Sequence, residues 1–283
     1  MAERTPITIL DGPTGTELIG RGVELPDGAW SAAGIDAHAH TLAQIHADYA
    51  AAGATVHTAC TFRTTERAVG HGWKRLAKRA VEICRESVPA DHLVGGSIAP
   101  LEDCYRPDLS PSDAESEHAR LAGVLAEAGC DLLLCETFPH VGEALAALRA
   151  AAHTGLETWV SFTAGFRGDL LSPREVADGA RRAIDAGANA VLINCVPPET
   201  TLVYVEALAR AADGAVPIGA YANAGTDAQG RPGGAEHISQ ADYARLVGVW
   251  IDAGATIVGG CCGAGPEHIR AVAEWIHQKN GPA

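Results

Sequence analysis

Three cysteines in the second half of the chain are placed so that a fold could bring them to one metal ion. Cys261 and Cys262 are adjacent and follow an apolar, glycine-ended run, and Cys195 ends the apolar run 190–195. Neighbouring side chains of an extended strand point to opposite faces, so the strand must end at the pair if both sulfurs are to meet one ion. The glycines around the pair permit this. Three thiolates at strand ends are typical of a zinc site with an open fourth position.

This metal interpretation depends on the fold, because Cys195 lies far from the pair in the sequence and no local zinc-binding spacing is present. In the alternative interpretation, Cys195 is a small buried side chain and the adjacent pair serves packing or forms a redox-active disulfide. His38-Ala-His40 offers a second set of ligands. These histidines begin a helical segment and do not end a strand, so we interpret them as a solvated helix N-terminus.

Two acidic residues also follow apolar runs. Glu136 comes directly after residues 131–135, and a buried carboxylate is costly unless it meets a cation or a donor. The ammonium group of an amino acid would serve, and a structural salt bridge is the alternative. Asp11 begins a glycine-containing turn in which Gly12 allows a ligand to approach the backbone. We expect Asp11 either to accept a hydrogen bond from such an ammonium group or to cap the turn.

The elements that must position these residues are eight short β-rich runs. Most runs are continuously apolar, as in parallel strands that are covered on both faces. Segments with helical spacing separate most of them, and this alternation predicts an α/β protein with a single (β/α)8 TIM barrel. A doubly wound open sheet is the alternative. The runs are 7–10, 55–60, 93–98, 131–135, 158–163, 190–195, 217–221 and 256–259.

The residues that follow the strands of such a barrel line the end at which active sites form. Acidic, amide and thiol side chains collect at these positions, which supports a shared site. The positions are Asp11, Cys60, Pro100, Glu136, Thr163, Cys195, Asn223 and the pair Cys261 and Cys262.

Helix ends are marked clearly in this sequence. Ser172-Pro-Arg-Glu175 combines an N-cap serine, a proline at the first helical position and a glutamate three residues after the serine. Four helical segments end in a glycine that suits the left-handed conformation, and a strand follows each one. These glycines are Gly53, Gly129, Gly187 and Gly254.

The net charge and the lengths of the apolar segments exclude some classes of function. The 283 residues carry a formal net charge of −14, which argues against a nucleic-acid or anionic membrane surface. We find no signal-peptide pattern at the N-terminus and no apolar stretch long enough to span a bilayer. We therefore expect a cytoplasmic protein with reduced thiols and one domain over residues 1–283. The sequence leaves open whether the chain forms a homo-oligomer.

The motifs together resemble the homocysteine S-methyltransferase family, over essentially the whole chain and in the same order. The late Gly-Gly-Cys-Cys together with an upstream Asn-Cys is the most specific feature. The matching segments are Asp11-Gly-x-x-Gly-Thr16, Glu136-Thr-Phe138, Asn194-Cys195, Tyr221-x-Asn223-Ala-Gly225 and Gly259-Gly-Cys-Cys-Gly263.

The resemblance implies a zinc-dependent (β/α)8 barrel that transfers a methyl group to the thiol of homocysteine and gives methionine. It also implies that Cys195, Cys261 and Cys262 bind Zn²⁺ and carry the catalysis, with Asn223 as a fourth ligand when substrate is absent. The substrate pocket implied by the resemblance consists of Asp11, Gly12, Thr16, Glu136, Thr163, Asn194 and Asn223.

This chain departs from the family pattern at positions that bear on the methyl donor and not on the acceptor. Ala222 replaces a common proline, and Thr61-Phe-Arg63 replaces the usual residues after strand two. We expect a sulfonium donor such as S-methylmethionine or S-adenosylmethionine, with betaine or another methylated amine as the alternative. An amine donor calls for an aromatic cage, to which Trp30, Phe62 and Trp73 could contribute. A non-enzymatic zinc or redox-sensing protein is the alternative of a different class.

Overall fold

A parallel sheet of eight strands forms the centre of the molecule. The computed structural model describes residues 6–26, 28–226 and 236–280. Each strand pairs with its neighbour in parallel, and a bridge between Leu10 and Val56 joins the first strand to the second, so the sheet closes into a barrel. The barrel strands are β1 Thr8–Ile9, β2 Val56–Ala59, β3 Leu93–Ile98, β4 Leu132–Phe138, β5 Glu157–Phe162, β6 Ala190–Asn194, β7 Ile218–Tyr221 and β10 Ile257–Val258.

Helices cover the outside of this barrel. A two-stranded antiparallel hairpin, β8 Gly225–Thr226 and β9 Glu236–His237, follows β7. Short 3-10 helices span Trp30–Ala33, Gly70–Gly72 and Pro107–Leu109. The α-helices are α1 Thr14–Gly20, α2 Gly34–Ala37, α3 Ala39–Ala52, α4 Glu66–Val69, α5 Trp73–Ser87, α6 Ala114–Glu127, α7 Val141–Ala152, α8 Pro173–Asp185, α9 Thr201–Ala212, α10 Gln240–Asp252 and α11 Pro266–Asn280.

The alternation of side chains along each strand divides the core into two parts. Leu132 and Leu134 of β4 pack inside the barrel with residues of the other strands, such as Trp159. Leu133 and Cys135 point the other way and pack against the helices. Both faces of each strand are therefore buried, which is why the strands are continuously apolar in the sequence.

The structure confirms the predicted barrel, and the alternative prediction of a doubly wound open sheet is wrong. All eight predicted strands are present with boundaries that differ by at most three residues, and β4 runs to Phe138 instead of ending at Cys135. Ser172 forms the predicted capping box with Glu175 at the start of α8. The four predicted helix-ending glycines all have positive φ: Gly53 108°, Gly129 87°, Gly187 96° and Gly254 109°.

Two sequence interpretations concern other parts of the chain. His38 and His40 are exposed beside the N-terminus of α3, as expected for a solvated helix start. The absence of a signal peptide was inferred from residues that lie mostly outside the described part of the chain. Among the helices of the described segments, none has the length and apolar character needed to cross a membrane.

Candidate active site

A cavity of about 650 Å³ opens at the carboxyl ends of the barrel strands. Its wall combines the ends of several strands with the loops that follow β1, β2 and β3. This size falls within the range of small-molecule sites. The wall includes Asp11, Gly12, Trp30, Thr58, Phe62, Arg63, Arg67, Ser97, Glu102, Asp103, Tyr105, Glu136, Cys195, Tyr221, Cys261 and Cys262.

The three predicted cysteines meet on this wall. The sulfurs of Cys195, Cys261 and Cys262 all lie within 4.8 Å of one another, and Cys195 Sγ is 3.9 Å from Cys262 Sγ. All three are free thiols. Sulfurs at a Zn–S distance of about 2.3 Å in a tetrahedral site are about 3.8 Å apart. The spacing therefore fits one metal ion, and no disulfide joins the cysteines.

The backbone at each cysteine departs from a regular strand. Cys195 follows β6 with a φ of 54°, a left-handed conformation that is uncommon for a residue other than glycine. The Cys261 N–H donates to Ala222 O at 2.8 Å, and the Ala224 N–H donates to Cys262 O at 2.8 Å. These bonds attach the cysteine pair to the segment after β7, which brings both sulfurs toward Cys195.

Gly263 and Thr16 hold the other side of the cysteine turn. Gly263 has a φ of 82°, and a Cβ there would lie 2.5 Å from Gly225 N, so no larger residue fits. Its N–H donates to Thr16 Oγ1 at 3.2 Å. Thr16 therefore contacts the cysteine turn, and its side chain does not line the cavity.

The closeness of the three thiols disfavours their ionisation. The pKa of Cys195 lies well above that of an ordinary thiol, chiefly because of its contact with Cys261 and further because of burial. The pKa of Cys262 is raised in the same way by its contact with Cys195 and by burial. A divalent cation reverses this balance and favours the thiolates. The donor set itself thus suits a soft metal such as zinc.

Asn223 carries an unusual amide. It is 2% exposed, and its Oδ1 has no hydrogen-bond partner among the described residues. Its backbone segment is the one that pairs with the cysteine turn. A buried acceptor without a partner is costly and calls for an explanation. The role of a metal ligand that the motif resemblance implies for Asn223 would explain such a free oxygen.

Glu136 is the buried carboxylate at the middle of the cavity wall. It lies within β4, where the pairing with β5 shifts register between Cys135 and Phe138. The following Thr137 has a φ of 62°. Such a bulge re-aims a side chain, and bulges are common beside active sites. The sequence prediction that the strand ends before Glu136 was wrong, because the bulge allows the strand to continue past it.

Two hydroxyl groups donate to Glu136. Ser97 Oγ donates to Oε1, and Tyr221 Oη donates to Oε2 at 3.0 Å. Burial raises the pKa of Glu136, and these two hydrogen bonds lower it in part. Glu136 forms no ion pair within the described residues, so the alternative of a structural salt bridge is not supported.

Asn194 connects the strand bulge at Thr137 to the thiols. Its Oδ1 accepts from Thr137 N at 3.1 Å and from Ser161 Oγ at 2.7 Å. Its Nδ2 donates to Thr137 Oγ1 at 2.8 Å and contacts Cys261 Sγ at 3.9 Å. Asn194 therefore satisfies the bulge beside Glu136 and also touches the thiol cluster, although its side chain does not line the cavity.

Asp11 is a second buried carboxylate without a basic partner in the described structure. It is 3% exposed, and its Oδ2 accepts from Thr58 N at 2.9 Å. Burial raises the pKa of Asp11 well above that of an ordinary carboxyl group. The neighbouring Gly12 has no room for a side chain, since a Cβ would lie 2.4 Å from Ala264 O. The cavity therefore offers two carboxylates that would be ionised by a cationic ligand.

The structure brings most of the predicted residues together. Asp11, Gly12, Glu136 and the three cysteines line the cavity, whereas Thr16, Thr163, Asn194 and Asn223 do not. Thr163 Oγ1 instead donates to Cys195 O at 3.4 Å.

Sequence reasoning missed several residues of the wall. Ser97 and Tyr221 bind Glu136, and a polar side chain inside an otherwise apolar barrel strand was the available signal. Thr58 was missed because it acts through its backbone. Trp30 and Phe62, two of the residues that could contribute to an aromatic cage, line the cavity, whereas the third, Trp73, is 3% exposed, packs in the core and does not line it.

The fold and the site define a class of barrel protein in which three clustered thiols and two buried carboxylates share one cavity. The family model for homocysteine S-methyltransferase matches residues 8–276. The chain belongs to the homocysteine S-methyltransferase family, as its motifs suggest.

Relatives of similar length support this assignment. A homocysteine S-methyltransferase of Escherichia coli strain K12 is 31% identical, with 96% of each chain covered. The homocysteine S-methyltransferase YbgG of Bacillus subtilis is 30% identical, covering 95% of this chain and 94% of the relative. The metallated form of the homocysteine methyltransferase MmuM from Escherichia coli has a TM-score of 0.79 and 28% identity, with 96% of each chain covered.

Proposed function

We propose that the protein catalyses methyl transfer from a sulfonium donor, such as S-methylmethionine or S-adenosylmethionine, to the thiol of homocysteine and gives methionine, with zinc as cofactor. The observation that carries this proposal is the shared cavity of the three thiols, Asp11 and Glu136. A thiol site alone would also fit a metal store or redox sensor. Two buried carboxylates beside it indicate an amino-acid ligand, which a sensor does not need.

Homocysteine fits the two halves of this site. Its ammonium group would bind Glu136 and Asp11, which are acceptors without basic partners in the described structure. Its sulfur would then reach the thiol cluster of Cys195, Cys261 and Cys262. Tyr221 and Ser97 hold the Glu136 carboxylate in one orientation, so the amino acid is positioned before the donor arrives.

The chain supplies the ligands for the metal. When bound by Cys195, Cys261 and Cys262, zinc would lower the pKa of the homocysteine thiol and leave its sulfur electron-rich, because three thiolate ligands make the centre net negative. Asn223 Oδ1 would serve as a further ligand in the absence of substrate. Asn194 and Thr163 act on the backbone and sulfurs of the cluster, so we assign them positioning roles.

The transfer itself is a displacement at the methyl carbon. The bond from the homocysteine sulfur to the methyl group forms as the bond to the donor sulfur breaks, and the electron pair of the broken bond stays on the donor as a neutral sulfide. The proton of the homocysteine thiol leaves to solvent when the thiol binds. The acidic cavity favours a cationic donor, and the eight free cysteines suit the reducing cytosol in which we place the enzyme.

The test is a donor screen with the zinc-loaded protein. Homocysteine is incubated with S-methylmethionine, S-adenosylmethionine or betaine, and methionine is measured by mass spectrometry. We expect turnover with a sulfonium donor. Cys195→Ser should lose bound zinc and turnover together, whereas Cys84→Ala, which changes a buried cysteine of α5, should keep both. Turnover by a zinc-free protein, or no methionine with any donor, contradicts the proposal.

A further inference from the structure

Arg63 is the one basic side chain on the described cavity wall that has no acidic partner. Arg63 and Arg67 are the basic residues that line the cavity. The guanidinium of Arg67 is bound to the carboxylates of Glu102 and Glu117. Arg63 instead donates only to backbone carbonyl groups, so its charge is not neutralised within the described chain.

The structure holds this guanidinium in place and leaves one edge free. Arg63 Nη1 donates to Pro100 O at 3.3 Å and to Glu102 O at 2.9 Å. The guanidinium also lies 5.3 Å from the centre of the Phe62 ring. Nε and Nη2 have no hydrogen-bond partner among the described residues. These two nitrogens form the edge that binds a carboxylate through two parallel hydrogen bonds.

The distribution of charge in the cavity gives this edge a function. The acidic side chains Asp11 and Glu136 on the cavity wall are almost fully buried. In the thiol cluster Cys195 is buried and Cys261 and Cys262 are half-buried, and Arg63 is half-buried on the loop after β2. A donor that carries both a cationic methyl-bearing centre and a carboxylate is oriented by such a field. Its cation is drawn toward the thiols, and its carboxylate is repelled toward Arg63.

We propose that Arg63 binds the carboxylate of the methyl donor. This inference rests on the proposed function and adds to it a residue that selects the donor. Homocysteine is held at the other, acidic end of the cavity. The two substrates are then recognised by opposite charges.

The test compares two sulfonium donors in the zinc-loaded enzyme. S-methylmethionine carries a carboxylate, and trimethylsulfonium does not. We expect Arg63→Gln to raise KM for S-methylmethionine about 10- to 100-fold, since it removes a charge-assisted hydrogen bond, and Arg63→Lys to restore part of this loss. KM for homocysteine and the rate with trimethylsulfonium should change less than about threefold. Arg106→Gln is the control, because exposed Arg106 pairs with Asp108 on the loop after β3.

The outcomes separate this inference from the proposed function. If Arg63→Gln lowers the rates with both donors equally, or raises KM for homocysteine instead, Arg63 does not bind the donor carboxylate. Calorimetric titration of S-methylmethionine into the wild type and Arg63→Gln proteins gives the same comparison without turnover. If the wild type binds zinc and homocysteine but methylates from neither donor, the proposed function fails first. An unchanged thermal shift on addition of homocysteine shows that the Arg63→Gln variant is folded.

Discussion

At the residue scale, the proposed homocysteine pocket contains two carboxylates that have no basic partners among the described residues. Ser97 and Tyr221 donate to Glu136, and Thr58 N donates to Asp11, so both side chains are oriented but not neutralised. Burial raises the pKa of both carboxyl groups. A bound ammonium group therefore has a large effect there, since it favours the ionised form that the buried site alone disfavours.

Glu136→Gln tests this role of the charge. The amide keeps the shape of the side chain and one acceptor oxygen but carries no charge, so it cannot form an ion pair with an ammonium group. We expect KM for homocysteine to rise about 10- to 100-fold, because a hydrogen bond to a charged group contributes about 1.5–3 kcal/mol. Zinc content should stay the same, because Glu136 does not belong to the thiol cluster.

Initial rates at varied homocysteine measure this effect. Glu206→Gln is the control, since Glu206 lies on the outer helix α9 with an exposed side chain. An unchanged KM for homocysteine in Glu136→Gln would show that Glu136 does not bind the ammonium group.

At the element scale, the site depends on how the loop after β7 and the turn after β10 are joined. Tyr243 of α10 is fully buried, and its Oη lies 2.9 Å from both Ala222 O and Gly259 O. Ala222 O also accepts from Cys261 N. One tyrosine hydroxyl thus connects the segment before Asn223 to the segment before the cysteine pair. Nothing in the sequence spacing indicated this, since the contact joins a helix to two loop carbonyls.

Tyr243→Phe should weaken metal binding more than it weakens the fold. The ring and its packing remain, but the two loops lose their shared donor. We expect the zinc affinity to fall about tenfold, in line with other outer contacts of metal ligands. Competition with a chromophoric chelator measures this, and the absorption spectrum of the cobalt-substituted protein reports the geometry of the thiolate site.

Tyr204→Phe is the matched control for this substitution. Tyr204 is a buried tyrosine of α9 whose Oη donates to Gly168 O and Leu171 O, away from the cysteines. Both variants should lose a similar amount of thermal stability. Equal zinc affinity in the two variants would refute a special role for Tyr243.

Two glycines near the start of the chain, Gly12 in the turn after β1 and Gly20 at the end of α1, offer a second comparison of variants. Gly12→Ala places a Cβ 2.4 Å from Ala264 O and 2.4 Å from Tyr49 Oη, whereas nothing lies within 4 Å of a Cβ at Gly20. We expect Gly12→Ala to lower the free energy of unfolding by about 1–3 kcal/mol and to weaken homocysteine binding, because the turn beside Asp11 must shift. Gly20→Ala should be neutral or slightly stabilising. Urea unfolding and the thermal shift with homocysteine test both, and equal behaviour of the two variants would contradict the packing explanation.

At the scale of the whole molecule, the barrel could be predicted because it rests on repeated local signals. Apolar strands and glycines such as Gly53 recur along the chain, and each of them, like the capping box at Ser172, can be recognised from a short stretch of sequence. The positions that follow the predicted strands then indicated Asp11, Glu136 and the cysteines as candidate site residues. The bulge at Thr137 and the free edge of Arg63 could not be predicted, because they depend on partners in other strands and loops.

The whole fold also contains a buried histidine that should make it sensitive to acid. His46 of α3 is 0% exposed, and neither ring nitrogen has a hydrogen-bond partner among the described residues. Burial, with a smaller contribution from His57, lowers the pKa of His46 from 6.5 to about 3. The folded state therefore favours the neutral form of His46, and the unfolded chain binds the proton more readily than the folded chain does.

The stability of the protein should therefore fall as the pH drops below 6.5. The stabilisation is fully present above the unfolded pKa of 6.5 and is lost progressively down to the folded pKa of about 3. At pH 5 the loss from this residue is about 2 kcal/mol, or 1.36 kcal/mol for each pH unit below 6.5.

His46→Leu should abolish this part of the loss, so its advantage over the wild type should grow between pH 7 and pH 5 in urea unfolding. His40→Leu changes an exposed histidine at the start of the same helix and should leave the pH dependence as it is. If His46→Leu and the wild type lose the same free energy of unfolding between pH 7 and pH 5, His46 is not the group that limits the acid stability of this barrel.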